Sequence, residues 1–421
     1  MQLQQVNYKI YKRDLVVKKD ILLLGFILFL LYFIFFAPIR YLPDRSIIKY
    51  AAILIVGIYI LFHLRVVLQK KYFLMNLMVV LFVLMVFISA FINRNTTQDR
   101  NPFLSSIVYF GGFCETLILL EIVAEKKQFN FLIDLYYKLT LLTIIITDFL
   151  IFVIPAVFSI MGNYLVGTKF QVSYLHLQLL VWFLIRSKFH KTEKIKYNLF
   201  LIIFYIFSVF ISIYVDCMTG TIALVLFLLI YLIFKNKATL LANPIIMLLV
   251  LLFFCLFLFI FNSILDNEYV QFFITDILGR DLTLTGRMLI YENLPIILNG
   301  HWLLGYGYGS AYEICTEMIG AVNAQNGILN WLIEVGMVST ILMLGIFFVS
   351  FLKIKTNVNF LFPVIVVVYC FSIIASVEVC IDCRFLFWII FIYVFSVNPS
   401  VSKQKEKFRI VLFSKKFKKK V

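Results

Sequence analysis

Long apolar runs separated by short polar breaks dominate the chain. Twelve of them read as helices, near 21–38, 50–68, 72–93, 104–124, 133–155, 170–186, 197–215, 219–234, 243–263, 326–351, 359–378 and 384–398. A helix needs roughly 20 apolar residues to cross the hydrocarbon core of a bilayer. Most runs meet that length. Those at 170–186, 219–234 and 384–398 are shorter and predict tilted or partly re-entrant segments. The pattern predicts an all-α polytopic integral membrane protein with about 12 transmembrane helices and one large outer loop. The organisation follows: helices 1–9 in 1–263, the loop in 264–325, helices 10–12 in 326–398, and a basic cytoplasmic tail in 399–421.

Composition narrows the class. Of 421 residues, 63% are hydrophobic and only 14% charged, with mean hydropathy +1.01. A soluble domain, a disulfide scaffold and a disordered chain are excluded. The run Ile21–Phe36 is long for a signal peptide and no small-residue cleavage site follows it, so it reads as a retained anchor. The seven Cys are scattered, and Cys380-x-x-Cys383 without a second pair is a weak metal signal.

The net charge of +16 would suggest nucleic acid in a soluble protein. In a membrane protein, Lys and Arg instead mark the cytoplasmic side. Threading the runs alternately puts 28 of the 38 Lys and Arg on the side of the N-terminus and nine on the other, with Lys138 near a span end. Both termini are therefore expected in the cytoplasm. The Lys-rich C-terminal end fits anionic lipid headgroups; no nucleic-acid role is expected.

The loop 264–325 stands apart because every other loop is short, and long loops usually carry function. Its middle stretch, Gly286 to Leu304, spaces Leu289, Ile290, Leu294, Ile297 and Leu298 like a helix that would lie on the membrane surface. Arg287 would open that helix after a Thr285-Gly286 turn. An arginine fork beside converging backbone N–H groups suits a diphosphate; a loop arginine paired with Asp281 or Glu292 is the equal alternative. Gly305-Tyr306-Gly307-Tyr308-Gly309 lacks the flanking strand of a Rossmann loop. It reads as a tight turn near the membrane, with two tyrosines that suit an interfacial belt or sugar stacking. Gln325 and Asn326 stand at the start of the tenth run, where Asn326 fits an N-cap. Glu334 lies about two turns inside, where a carboxylate is functional or paired. Lys169, Ser173, Tyr174 and His176 make an unusually polar start to the sixth run. His176 reads equally as a packed histidine and as a catalytic one. There is no zinc set, no Asp-x-Asp pair and no Walker loop, so neither a metal nor a cofactor is expected.

Thr285-Gly286-Arg287, Gly305-Tyr306-Gly307, Gln325-Asn326 and Glu334-Val335-Gly336, in that order around one large loop, resemble the O-antigen polymerase/ligase superfamily. The motif likeness covers about residues 165–180 and 280–340, and the architecture most of the chain. It implies a Wzy-type polysaccharide polymerase in the cytoplasmic (inner) membrane. That activity joins polyprenyl-pyrophosphate-linked oligosaccharide repeat units at the outer face, without a metal, for a capsule, an exopolysaccharide or an O-antigen. It implies Arg287, Gln325 and His176 as catalytic residues. It implies Lys169, Arg280, Tyr174, Asn326 and His301 as substrate contacts. The partners implied are the lipid-linked oligosaccharide, the bilayer, and flippase and chain-length regulator proteins. Two departures stand out. Gln325 occupies a place where the family typically has His, and Thr219-Gly220-Thr221-Ile222 lacks an Arg that many members carry there. An O-antigen ligase-type glycosyltransferase and a lipid-linked oligosaccharide flippase or transporter are the alternatives.

Overall fold

The computed structural model describes residues 2–35, 45–97, 101–155, 163–190, 194–265, 267–272, 275–276, 287–354 and 357–398. Five helices come first: α1 (Gln2–Phe35), α2 (Arg45–Leu61), α3 (Phe73–Ile92), α4 (Pro102–Glu125) and α5 (Phe129–Val153). A minimal antiparallel hairpin follows, β1 (Asn163–Tyr164) with β2 (Gly167–Thr168). Then come α6 (Lys169–His190), α7 (Lys194–Tyr214), α8 (Met218–Phe234), the short α9 (Ala238–Leu241) and α10 (Pro244–Leu265). The loop region carries α11 (Glu268–Phe272), α12 (Arg287–Ile297) and α13 (Ala311–Ile319). The chain closes with α14 (Gly327–Leu352), α15 (Val358–Ile374) and α16 (Cys383–Ser396).

Each of the twelve apolar runs overlaps one of these helices, although α2 stops at Leu61 and the rest of the run 50–68 is turns. Four are long and apolar enough to cross a membrane by themselves: Phe73–Ile92, Pro102–Glu125, Phe129–Val153 and Gly327–Leu352. Several shorter apolar helices accompany them. The periphery shows what surrounds the bundle. Leu54, Ile145, Phe149, Ile206 and Ile233 are each more than half exposed, on α2, α5, α7 and α8. Water does not tolerate an apolar surface of that extent, so these faces contact lipid. The chain is an all-α membrane protein.

Two helices form the axis. In α16 every residue from Phe385 to Phe395 is at most 1% exposed, and α15 is almost as enclosed. A helix that is hydrophobic all round belongs in the middle of a bundle. Rings pack around this axis, with Trp182 on Trp388 at 4.6 Å and Phe129 edge-on to Phe391 at 5.7 Å. On the face opposite the 264–325 loop, polar side chains tie α3, α4 and α16 together. Lys71 pairs with Glu125, the Tyr72 hydroxyl donates to Glu125 at 3.0 Å, and Asn398 donates to the Tyr72 hydroxyl at 2.9 Å.

Candidate functional site

The face carrying the 264–325 loop is built from α12, α13 and the segment between them. The apolar residues of α12 do not lie on a membrane surface as their spacing predicts. Ile290, Leu294 and Ile297 are buried against Ile314 of α13 and against Leu329 and Ile333 of α14, in a hydrophobic cluster separate from the main core. An amphipathic helix buries its stripe on whichever apolar surface is offered, and here protein offers it.

Within this assembly, α14 is broken. Gly336 has φ 72° and ψ 179° in the middle of an otherwise helical run. The break is filled by the segment Trp302–Tyr306, where three backbone groups of α14 find partners. Met337 N donates to the Trp302 carbonyl at 2.9 Å, Val338 N to that of Leu303 at 3.3 Å, and Tyr306 N to that of Ile333 at 2.8 Å. Non-helical backbone at membrane depth is tolerated only when protein satisfies it in this way. From the other side, α3 fastens the same segment. Ser89 donates to the Leu304 carbonyl, and Asn93 Nδ2 donates to the Gly305 carbonyl at 3.1 Å. Gly305, Gly307 and Gly309 all have positive φ, as a tight Gly-rich turn requires. A Cβ on Gly305 would stand 2.7 Å from the Ile333 carbonyl oxygen, so no larger residue lets these backbones meet.

An open cavity of about 410 Å³ lies against this segment, lined by Ile92, Asn93, His301, Trp302 and Leu304 among others. His301 is half-buried. Its Nδ1 lies 3.2 Å from the Gly305 carbonyl, and its ring stacks on Tyr306 at 3.8 Å. Tyr306 is itself anchored by its hydroxyl, which donates to the Ile297 carbonyl at 2.5 Å.

The other predicted residues fall into two groups. Around the start of α14, Arg287 is the first residue of α12, with its side chain outside the described residues, as is Arg280 altogether. Gln325 sits in a left-handed turn with φ 47°, its N–H donating to Asn323 Oδ1 at 2.7 Å. Asn326 is fully buried and caps α14. Its Oδ1 accepts from Ile328 N and Leu329 N, while Nδ2 donates to the carbonyls of Cys255 at 3.0 Å and Ser376 at 3.4 Å. The hydroxyl of Tyr291 on α12 also donates to the Ser376 carbonyl, at 3.3 Å. Asn326 therefore spends its amide on the protein itself.

The second group is on α6. Exposed Lys169 binds Asp216 through Oδ2 at 3.0 Å and through the backbone carbonyl at 2.6 Å. Tyr174 is buried; its hydroxyl accepts from Trp388 Nε1 at 3.1 Å, and the Arg384 guanidinium lies 4.8 Å from its ring centre. His176 is 1% exposed. Its Nε2 faces Asp148 Oδ1 at 3.3 Å and its Nδ1 faces Ser208 Oγ at 3.2 Å, so α5, α6 and α7 meet at one polar point inside the bundle.

Sequence reasoning passed over Arg384. It is buried at the start of α16, with Nε 2.7 Å and Nη2 2.5 Å from Asp382 Oδ2, while Asp382 Oδ1 caps the helix. The Asp382-x-Arg384 spacing was the available signal. The first turn of α16 is enclosed by the bundle, with Arg384 and Phe385 both buried. In the loop helix α13, burial pushes the Cys315 thiol up to about 12, with Glu334 adding to the effect. Among the described residues no group of three metal ligands occurs, and all seven Cys are free. No family model, no curated protein and no solved structure matches this chain.

Proposed function

We propose that this protein is a polysaccharide polymerase of the cytoplasmic membrane. It joins polyprenyl-pyrophosphate-linked oligosaccharide repeat units on the outer side, for a capsule, an exopolysaccharide or an O-antigen. In this reading twelve helices cross the bilayer, both termini are cytoplasmic, and the loop face is outside. The observation that carries it is the loop-face assembly: a rigid segment built into a broken helix, an open cavity beside it with His301 in the wall, and a helix opening on Arg287.

The chemistry suits those parts. A sugar hydroxyl of one repeat unit attacks the anomeric carbon of another chain, and the lipid diphosphate leaves with the bonding electrons. Preorganised donors can stabilise that growing negative charge without a metal. Arg287 at the α12 N-terminus has the right type and place. Lys169 would exchange Asp216 for phosphate. Gln325 contributes a neutral amide near the acceptor. Asn326, Tyr174 and His176 act through the frame, since their polar atoms already have protein partners.

A second reading has its own support. Transporters commonly use discontinuous helices and intramembrane ionisable residues, and here α14 is broken at Gly336 while Asp148 and His176 meet inside the bundle. Only one helix among the described residues shows such a break, and a pair is the usual transporter arrangement.

The test compares wild type with Arg287→Ala at matched protein level, in cells that need this protein for a surface glycan. Lipid-linked and surface glycans are separated by size. Single repeat units in the mutant against a ladder in wild type support the polymerase. Full-length chains stranded on the lipid carrier indicate a ligase, and single units held on the inner leaflet indicate a flippase. An unchanged ladder removes Arg287 from the site.

A further inference from the structure

The cavity beside the helix break contains two side chains whose chemistry is unspent. His301 is the first. A backbone carbonyl can only accept a hydrogen bond, so the contact of Nδ1 with the Gly305 carbonyl fixes a proton on Nδ1. In the neutral ring Nε2 then carries no proton and is the acceptor. Among the described residues, no partner for Nε2 is found. Tyr306 stacks on the ring, and Asn93 at the end of α3 holds the same Gly305 carbonyl. A base oriented by one fixed hydrogen bond and by packing is preorganised. His176, by contrast, is sealed with both nitrogens engaged.

The second is Trp302. The residue is 43% exposed, at the cavity wall. Its backbone is immobile, since its carbonyl accepts from Met337 N in the α14 break. An exposed indole on a rigid backbone offers a flat apolar face for the C–H groups of a sugar ring. The cavity carries no net charge of its own among its lining residues, which suits a neutral saccharide better than the diphosphate.

We propose that this cavity is the acceptor-sugar subsite, in which Trp302 stacks on a sugar ring of the incoming repeat unit and His301 Nε2 takes the proton of the attacking hydroxyl. The inference rests on the polymerase reading for its chemical step. In that step the hydroxyl O–H bond breaks toward Nε2 and a glycosidic C–O bond forms. The anomeric carbon's bond to the diphosphate oxygen breaks, with the electron pair leaving on the lipid diphosphate. The imidazolium then releases its proton to water. His301 thereby fills the role that Gln325, a neutral amide, cannot.

Binding and turnover are tested separately on the full-length protein. The binding probe is oligosaccharide released by mild acid from the producing cells' own lipid-linked pool, followed by saturation-transfer NMR with detergent-solubilised protein. Trp302→Ala should weaken binding about tenfold or more, and Trp302→Phe should restore most of it. Equal binding by wild type and Trp302→Ala overturns the subsite. Turnover is read as ladder growth in membrane vesicles. His301→Asn keeps a donor toward the Gly305 carbonyl but cannot accept the proton, and should slow growth on the order of 10²-fold or more at unchanged protein level. Added imidazole should partly rescue His301→Ala. A wild-type rate in His301→Asn overturns the base. If wild type binds the probe but builds no ladder, the polymerase reading and its proton step fall while the saccharide subsite stands.

Discussion

Gly336 and Leu303 meet backbone to backbone inside the bundle. A Cβ on Gly336 would overlap the Leu303 carbonyl, which accepts from Val338 N just past the break. The φ and ψ of Gly336 also fall where essentially only glycine goes. Gly336→Ala is therefore expected to cost at least about 3 kcal/mol and to lower the unfolding temperature in detergent sharply. Gly320→Ala is the control. Gly320 ends α13 in a left-handed C-cap with open space around it, and should lose only about 1 kcal/mol. Equal losses at the two sites would mean that the break carries no special strain.

Asn326 makes a different kind of closure, with one amide serving the α14 cap and two carbonyls from α10 and the end of α15. Asn326→Ala removes the cap, worth about 1 kcal/mol, and strands buried carbonyls at about 1–3 kcal/mol. Asn326→Asp keeps the cap acceptors but turns a buried carboxylate oxygen toward the Cys255 and Ser376 carbonyls, so its melting temperature should fall at least as far as that of the Ala variant. An Asp variant as stable as wild type would mean that the two carbonyl contacts contribute nothing.

The helices themselves were legible because each is a long apolar run, and Asn326 was legible as a cap because it stands just before one. The break in α14 was not. A lone glycine inside an apolar helix costs about 1 kcal/mol and normally leaves the helix intact. What opens α14 is the segment Trp302–Tyr306, and no local pattern in the Gly327–Leu352 run announces a contact that distant. The partner of α12 was equally hidden, since Ile290 and Leu294 would satisfy a lipid surface and a protein surface alike. The burial of Arg384 was hidden as well, because the packing around the start of α16 depends on its neighbours and not on its own sequence.

Cys315 gives a chemical check on the loop assembly. It is fully buried, and its thiol is pushed up to about 12, so at pH 7–8 it is protonated as well as covered. A neutral thiol is a poor nucleophile. Maleimide should leave Cys315 unlabelled in the intact protein and label it after denaturation, as read by peptide mass mapping. Rapid labelling of the native protein would mean that α13 does not stay docked on α12.

The pair His176–Asp148 decides between a frame and a working site. Both residues are buried where three helices meet, with Ser208 as the third partner. If they serve only to lock α5, α6 and α7, removing one partner should cost about 3–5 kcal/mol by stranding the other. Replacing both by leucine should then cost far less than the two single changes together, because no unpaired polar group remains. The cycle is His176→Leu, Asp148→Leu and the double variant, each read by thermal unfolding in detergent and by glycan ladder in cells. A double variant that recovers stability and still builds a ladder confines the pair to the frame. A stable double variant that has lost the ladder gives the pair a part in function; single repeat units then held on the inner leaflet favour the transporter reading, and single units on the outer leaflet the polymerase.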